Sequence, residues 1–327
     1  MTAQLVTRVL KANGAAVAEA VRALAAGGLV AFPTETVYGL GADATNGQAV
    51  ARLYEAKGRP AFNPLIAHVV DLEAARKLAR LNTDAARLAE TFWPGPLTLV
   101  LPRSAGCAVA ALATAGLDSI AVRVPGHALA RDILAAFGKP VVAPSANRSG
   151  HVSPTTAAHV AADLGGRIDL IIDGGAAPLG VESTIIACLG APMLLRPGGL
   201  PRSAIEDALG RKLADAAPAR ADNAPRAPGQ LATHYAPRTP LRLDAVRVAP
   251  GEALLAFGPT PPAGAADAKR TLNLSPRGDL VEAAANLFSH LRALDAAGAS
   301  AIAVMPIPHD GLGEAINDRL ARAAARR

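Results

Sequence analysis

An aperiodic stretch, residues 211–240, divides this chain into two unequal parts. From Leu213 onward it reads LADAAPARADNAPRAPGQLATHYAPRTP, and its content of proline, alanine and charge is typical of linkers or of extended segments that lie over a surface. Periodic segments lie on both sides, and 327 residues are enough for two domains. The sequence therefore predicts one domain over residues 1–210, a linker over 211–240 and a smaller domain over 241–327.

The first domain alternates short apolar runs with helical segments. Strand-like runs rich in Val, Ile and Leu occur at residues 29–32, 65–70, 97–102, 119–124, 141–142, 169–175, 183–189 and 193–199. Helical spacing occurs at residues 14–26, 46–58 and 127–137, and twice between 71 and 94, where Asp71 and Thr83 are predicted caps. Because the two kinds of segment alternate irregularly, we expect an α/β (α+β) fold with a twisted mixed sheet.

The second domain repeats this mixture in a shorter span. Residues 253–257, 271–274 and 301–307 read as parallel strands, and residues 279–296 and 311–325 read as helices. This pattern predicts a small Rossmann-like α/β domain.

Composition limits the class of protein. Apolar residues make up 51% of the chain, which excludes global disorder, and the net charge of +6 mildly favours polyanionic partners. Cys107 and Cys188 lack metal or redox spacing, so we expect two reduced core thiols. Charged residues such as Arg8 and Lys11 interrupt the N-terminus and no apolar stretch reaches a membrane span, so we expect no signal peptide, no membrane partner and a cytoplasmic protein.

The strand at 29–32 runs into a predicted loop, PTETVYGLG, in which no role is assigned to Glu35. The turn KGRPAFNP follows a helix further on. A strand end that presents hydroxyls and a carboxylate is a common ligand site in α/β proteins. Lys57, Arg59 and Asn63 in the turn suit an anion, because arginine offers phosphate a planar fork and lysine a point charge. The alternatives are a solvated basic turn and ordinary Asn-Pro turn chemistry.

Polar residues also interrupt other apolar runs. Arg123 lies in SIAVRVP four residues after Ser119, so the two share a strand face. A buried unpaired arginine is unfavourable, which indicates either an anionic ligand or an internal ion pair. His68 in LIAHVV is either a ligand contact or a satisfied core histidine. Ser145 and Asn147 lie in a loop that can cradle phosphate or simply precede a helix cap.

Six ordered motifs, PTETVYGLG, KGRPAFNPL, AVRVPGH, APSANRSGHVSPT, VESTII and LLRPGG, resemble the YrdC/Sua5 family, the L-threonylcarbamoyladenylate synthases. GQLATHYAP and the second domain resemble the two-domain Sua5 type. The resemblance implies a YrdC-like catalytic domain in which the carbamate of L-threonine, formed with bicarbonate or CO2, attacks the α-phosphate of ATP. Threonylcarbamoyl-AMP and pyrophosphate would result, and a separate transferase complex would use the former on adenosine 37 of tRNA.

The resemblance also implies roles for individual residues. Lys57 and Arg59 match the family's KxR element, and Ser145 and Asn147 its SxN element, as catalytic residues. The implied ATP contacts are Arg59, Asn63, Ser119, Ser145, Ser153, Arg196 and Tyr235. The implied L-threonine contacts are Thr36, His68, Arg123, Ala143 and Ser183. The linker is expected to cover the site as a lid, although Thr233 stands where the family often has a basic residue.

Mg²⁺ is expected as the partner of the ATP phosphates and not as a metal held by the protein itself. The sequence has no zinc-ligand spacing and lacks the GxxxxGK[ST] motif, so neither a structural zinc site nor a P-loop enzyme is expected. Two other functions fit parts of the pattern. An RNA-binding module of the same fold needs a basic surface but not the threonine contacts. A carbamoyl-adenylating domain like that of hydrogenase maturation proteins would carry an acylphosphatase-like domain and zinc-finger cysteines, which this sequence lacks.

Overall fold

The computed structural model describes residues 5–215 and 235–325 of the chain. The helices are α1 (Gly14–Ala25), α2 (Gly47–Lys57), α3 (Leu72–Leu78), α4 (Thr83–Phe92), α5 (Ala128–Phe137), α6 (Ala157–Leu164), α7 (Arg202–Leu209), α8 (Leu280–Asp295) and α9 (Gly313–Ala324). The strands are β1 (Arg8–Lys11), β2 (Val30–Pro33), β3 (Tyr38–Asp43), β4 (Ile66–His68), β5 (Leu97–Pro102), β6 (Ser119–Arg123), β7 (Val141–Val142), β8 (Leu170–Asp173), β9 (Thr184–Ala187), β10 (Met193–Arg196), β11 (Ala214–Asp215), β12 (Leu241–Arg242), β13 (Ala253–Ala256), β14 (Thr271–Asn273) and β15 (Ile302–Val304).

A large mixed sheet forms the first part of the protein. In the described residues it has 11 strands in the order β1-β8-β2-β3-β7-β4-β6-β5-β9-β10-β11. Its pairs include parallel ones, such as β4 with β6, and antiparallel ones, such as β2 with β3. Alternate residues of β2 lie in different apolar clusters, Ala31 in one and Val30 and Phe32 in another. Helices α2 and α4 contribute to the first cluster and helices α1 and α5 to the second, so helices cover both faces of the sheet. The predicted mixed α/β fold is confirmed.

Local sequence accounts for the helix ends next to the site. The Asn46 side chain accepts hydrogen bonds from the backbone N–H groups of Gln48 and Ala49, and α2 ends where Gly58 adopts a left-handed φ of 60°. The prediction of this helix is confirmed. The predicted cap Thr83 is wrong by one residue, because the side chain of Asn82 accepts the hydrogen bond from Ala85 N–H.

The glycine-containing segment after Val37 is strand β3, where the sequence predicted a loop. It pairs antiparallel with β2, and all six of its residues are buried. Its glycines permit close approach: a Cβ on Gly41 would lie 2.7 Å from Cε1 of Phe32 and 3.1 Å from the Val30 carbonyl oxygen. The loop between β2 and β3 is therefore shorter than predicted and consists of the few residues around Thr36.

A smaller sheet forms the second part. Its strands lie in the order β12-β15-β13-β14, and all of its pairs are parallel. The three predicted strands are confirmed, and β12 extends the sheet at one edge. Helices α8 and α9 contact each other and contribute Leu287, Phe288 and Ile316 to an apolar cluster. That cluster also contains Val37, Val152 and Val181 of the first part, so the two parts share a core.

Close packing and ion pairs join the two parts. A Cβ on Gly180 would lie 2.3 Å from the Ala284 carbonyl oxygen in α8, so this position requires glycine. Among the described residues, three arginine–carboxylate pairs cross the junction: Arg292–Asp163 at 2.9 Å, Arg202–Glu314 at 2.6 Å and Arg319–Glu182 at 2.7 Å.

The predicted linker, residues 211–240, lies mostly outside the described residues, which resume at Tyr235. Its first residues differ from the prediction, because Ala214 and Asp215 form β11 and pair with β10 of the large sheet. No helix among the described residues is long and apolar enough to cross a membrane.

Candidate active site

A cavity lies beside the central strands β4, β6 and β7. The residues that line it are Thr36, Val37, Arg59, Ile66, His68, Arg123, Ala143, Pro144, Ser145, Glu182, Ser183, Arg196 and Tyr235. The structure thus brings together every residue predicted to contact L-threonine. It adds four of the residues predicted to contact ATP: Arg59, Ser145, Arg196 and Tyr235.

Sheet register explains how these residues meet. His68 on β4 stands directly beside Arg123 on the parallel strand β6. The Ala143 backbone N–H, just after β7, donates to the carbonyl oxygen of Ile66 at 3.1 Å. Residues 55 or more positions apart in sequence therefore become neighbours through three short strands.

Arg123 is buried at 4% exposure and is held by the protein on three sides. Nε donates to the Gly95 carbonyl oxygen at 3.2 Å, Nη1 to Oγ1 of Thr36 at 3.1 Å, and Nη2 to Oε1 of Glu35 at 2.6 Å. The structure therefore confirms the internal ion pair, with Glu35 as the partner. Arg123 also lies on the cavity wall, and because arginine has five N–H donors, a contact to an anionic ligand stays a prediction.

Glu35 supplies negative charge next to Arg123. Its burial favours the neutral acid, but the charge and hydrogen bond of Arg123 outweigh burial and lower the pKa of Glu35. The Glu35 carboxylate is therefore ionised at neutral pH. The role of Glu35 in the PTET loop was not predictable from the sequence, because its partner lies 88 positions away.

His68 is neutral in the folded protein. Burial, and next the positive charge of Arg123, lower the pKa of His68 to about 3. Its Nδ1 lies 3.1 Å from the Ile66 carbonyl oxygen, so Nδ1 carries the proton and Nε2 is left as an acceptor. A neutral acceptor suits the ammonium or the hydroxyl of an amino-acid ligand.

Two hydroxyl groups of the wall are oriented by neighbouring side chains. Oγ1 of Thr36 lies 2.7 Å from Oγ1 of Thr34, and Oγ of Ser183 lies 2.7 Å from Oγ1 of Thr98. These contacts restrict the rotamers of Thr36 and Ser183, which lowers the entropy lost when a ligand binds.

Two further arginines make the other side of the cavity positive. Arg59 donates from Nε to the Asn63 carbonyl oxygen at 3.2 Å and from Nη2 to that of Pro64 at 2.9 Å. Burial is the main reason that the pKa of Arg59 falls to about 10, which still leaves it charged at neutral pH. Arg196 donates from Nε and Nη2 to the Ser183 carbonyl oxygen at 3.2 and 2.8 Å. Three cations therefore share one cavity.

Lys57 has a position that the sequence did not predict. It is buried at 3% exposure, is absent from the cavity wall, and donates from Nζ to the carbonyl oxygens of Ser145 and Asn147. Burial and the charge of Arg59 lower the pKa of Lys57 well below its usual value. The structure thus places Lys57 under the SxN loop, which it holds in shape, rather than in a solvated turn.

The remaining predicted residues are not part of the cavity wall. Asn147 donates from Nδ2 to the carbonyl oxygens of Arg148 and His151, both at 2.8 Å, which folds the loop back on itself. Asn63 is buried at 2% exposure, and Ser153 is fully buried. Ser119 lies at the far end of β6, beside Pro102 of β5. Their contacts to ATP stay predictions.

Glu182 is a cavity residue that was not predicted from the sequence. Its carboxylate accepts from Ser153 Oγ at 2.5 Å and from Arg319 Nε at 2.7 Å. The signal was present in the VESTII motif, because a glutamate directly before a buried strand needs a cationic partner. In the described ranges, 5–215 and 235–325, no group of three or more His, Cys, Asp and Glu residues is arranged to hold a metal ion.

Comparison with known proteins shows which protein family shares this architecture. The Sua5/YciO/YrdC family model, described as "Telomere recombination", matches residues 22–198, and a model described as "Threonylcarbamoyl-AMP synthase, C-terminal domain" matches residues 200–325. Threonylcarbamoyl-AMP synthase of Pyrococcus abyssi is 44% identical over 316 residues, 92% of each chain. The Bacillus subtilis protein of that name is 41% identical over 335 positions, 98% of this chain and 96% of that one.

A solved structure matches over nearly the whole length. The crystal structure of P. abyssi Sua5 complexed with L-threonine has a TM-score of 0.88 and 39% identity, covering 97% of this chain and 98% of that one. The fold and the cavity define a two-domain α/β protein with an arginine-rich site for a small polar ligand. The chain belongs to the Sua5/YciO/YrdC family, as the sequence motifs predicted. Its relatives do not favour the RNA-binding alternative.

Proposed function

We propose that this protein is a threonylcarbamoyl-AMP synthase. L-Threonine and bicarbonate give N-carboxy-threonine and water; a carbamate oxygen then attacks the α-phosphorus of ATP, and the bond to the β-phosphate breaks. Threonylcarbamoyl-AMP and pyrophosphate leave. The observation that carries this proposal is that all five predicted threonine contacts and three arginines line one cavity, in a chain that is 41–44% identical to proteins of this name.

The Arg123 side of the cavity is the proposed threonine site. Arg123 and Thr36 suit the ligand's carboxylate, neutral His68 can accept from its ammonium or hydroxyl group, and Ile66 and Val37 offer apolar contact to its methyl group. The P. abyssi protein, a relative of the same architecture, has been crystallised with L-threonine, which supports L-threonine as the substrate.

The Arg59 and Arg196 side is the proposed phosphate site. Phosphoryl and nucleotidyl transfer need charge stabilisation and alignment more than a covalent nucleophile, and two arginines beside the SxN loop can supply both. Ser145 belongs to the cavity wall, and Lys57 fixes the backbone on which Ser145 stands. We assign Lys57 a supporting role in this site.

Mg²⁺ is proposed to enter with ATP. Glu182 is the carboxylate among the described wall residues, and its oxygens already accept hydrogen bonds from Ser153 and Arg319. The residues present therefore fit a metal that is bound by phosphate oxygens and water, where it would offset phosphate charge.

The burial of the site suits a carbamate and an adenylate, because both compounds break down in contact with water. Tyr235, the first described residue after the predicted linker, is fully buried on the cavity wall and is stacked on Phe288 of α8. Exclusion of water by this wall would protect both intermediates. The product would then pass to a separate tRNA-modifying transferase, in the cytoplasm, where free thiols such as Cys107 and Cys188 persist.

A product assay tests the function. Purified protein with L-threonine, bicarbonate and Mg-ATP should release pyrophosphate and form threonylcarbamoyl-AMP, detected by mass spectrometry. Omission of any one substrate should abolish both products. L-Serine, which lacks one methyl group, should react about 10-fold or more less efficiently. Pyrophosphate release that does not depend on threonine would refute the proposal.

A further inference from the structure

Arg319 is a fully buried charge on the apolar face of α9. Its side chain has 0% exposure, and it stands at helical spacing with the buried residues Ile316, Leu320 and Ala323. An arginine rarely occupies a core position unless several partners satisfy it, because desolvation of an ion is strongly unfavourable. Its partners therefore indicate why it is there.

The guanidinium reaches from the small part of the protein into the wall of the cavity. Nε donates to Oε2 of Glu182 at 2.7 Å, Nη2 to the Pro197 carbonyl oxygen at 3.0 Å, and Nη1 to Oδ2 of Asp318 at 2.6 Å. Pro197 directly follows Arg196, which lies on the proposed phosphate side. Arg319 thus contacts two segments that shape that side.

Glu182 is the group that Arg319 neutralises. Burial alone would raise the pKa of Glu182, but the charges of Arg319 and Arg196 and the hydrogen bond from Ser153 lower it to about 2. The carboxylate is thus ionised, and it lies on a wall that is proposed to receive a triphosphate. Without a counter-charge behind it, this carboxylate would repel the ligand.

Arg319 also supports Tyr235. The guanidinium carbon lies 5.1 Å from the centroid of the Tyr235 ring, a cation–π distance, and the Phe288 ring stacks on Tyr235 with centroids 5.6 Å apart. Arg319 and Phe288 both belong to the small part of the protein. The small part therefore fixes one aromatic and one carboxylate of the cavity wall.

We propose that Arg319 is a positioning residue for ATP: from α9 it neutralises Glu182 and fixes the Tyr235 ring, and thereby completes the phosphate side of a cavity that lies mainly in the large domain. The inference rests on the proposed function. It gives the second domain a defined part in substrate binding.

If Arg319 had a purely structural role, its substitution would have a different effect. Arg202 also joins α9 to the large domain, through Glu314 at 2.6 Å, but neither Arg202 nor Glu314 is part of the cavity wall. If Arg319 only held the two domains together, Arg202→Gln and Arg319→Gln would have the same kinds of effect. Arg202→Gln is therefore the matched control.

The experiment uses the full-length chain and four proteins: wild type, Arg319→Gln, Arg202→Gln and the double variant Glu182→Gln/Arg319→Gln. ATP and L-threonine binding are measured separately by calorimetry, and KM and kcat by product formation. We expect Arg319→Gln to weaken ATP binding and raise the KM for ATP by about 10-fold or more, and to leave the threonine Kd within about twofold. Arg202→Gln should leave both ligands within about twofold.

The double variant keeps the test valid if Arg319→Gln folds poorly, because it does not leave the Glu182 carboxylate buried without its arginine partner. It should recover at least about threefold of the lost ATP affinity, since the repelling carboxylate is gone. Equal effects of Arg319→Gln and Arg202→Gln on ATP, or equal losses of threonine and ATP affinity, would overturn the inference while wild-type activity still upheld the proposed function. A wild type that forms no product would overturn both.

Discussion

Arg123 and Arg319 are both buried, and each pairs with a glutamate beside the cavity, but their support comes from different parts of the chain. Arg123 is held by Glu35, Thr36 and Gly95, all of which belong to the large sheet and its loops. Arg319 lies on α9 and reaches Glu182 across the junction, 137 positions away in sequence. One ion pair is internal to a domain, and the other joins two domains.

This difference separates the two proposed substrate sites. The threonine side takes its polar groups from the large domain alone, and Val37 of this side packs in the core that the two parts share. The phosphate side needs Tyr235 and Arg319 in addition, so it depends on contact between the domains. A substitution on one side of the cavity should therefore weaken the binding of one ligand and leave the affinity for the other unchanged.

The largest expected effect is that of Arg123→Ala. Loss of the guanidinium removes the proposed partner of the threonine carboxylate, and we expect threonine to bind at least about 30-fold more weakly, an equivalent of ~2 kcal/mol. Calorimetry with L-threonine measures this. ATP binding should persist, which also shows that the variant is folded.

Arg131→Ala is the control, because Arg131 is an exposed residue of α5 that is not part of the cavity wall. It should bind threonine as the wild type does. Parallel loss of threonine and ATP binding in Arg123→Ala would show that the two sides are not independent.

A smaller effect, on ATP only, is expected for Tyr235→Ala. The substitution removes the ring between Arg319 and Phe288, and we expect ATP to bind about 10-fold more weakly, ~1.4 kcal/mol, with threonine affinity unchanged. Tyr235→Phe keeps both ring contacts and should retain most of the affinity. If Phe and Ala are equally impaired, the ring contacts do not explain the role of Tyr235.

The smallest expected effect on ligand affinity is that of pH near His68, which instead changes the pH dependence of stability. Its pKa is lowered to about 3 in the folded protein from 6.5. Between these values the unfolded chain binds a proton that the folded chain does not, so the free energy of unfolding falls as pH decreases below 6.5. Because other groups contribute equally in both proteins, His68→Gln should reduce this slope by up to about 1.4 kcal/mol per pH unit.

Urea unfolding of the wild type and His68→Gln at several pH values between about 5 and about 7 measures the difference. Threonine affinity of the wild type should show no titration near the ordinary pKa of histidine, since His68 stays neutral. Equal slopes in the two proteins would mean that His68 is protonated in the fold.

Much of the fold could be predicted from the sequence where local physics decides it. The helix from Asn46 to Gly58 has a cap at each end, and the strands β13 and β15 of the small domain are short, buried apolar runs. The segment after Val37 could not be read this way. Its two glycines suggested a turn, whereas they serve close packing against Phe32 and Ala143, which only the neighbouring elements impose.

The site was predicted to a similar extent. Thr36, His68, Arg123, Ala143 and Ser183 were selected from motifs and meet in one cavity. Lys57 was selected as a phosphate contact, but the fold directs its ammonium to two backbone carbonyl oxygens. A motif gives the residue type and its place in the chain, whereas the direction of a long flexible side chain depends on acceptors that come from another loop.

The sequence by itself determined the two-domain α/β architecture, the family and the polar residues that a cationic site requires. Hydrophobic periodicity, caps and motif order are local and are therefore readable along the chain. Only the tertiary structure decided how the charges pair: Glu35 with Arg123, and Glu182 with Arg319. Ion pairing depends on distance and burial in space, and residues 88 and 137 positions apart carry no local signal of contact.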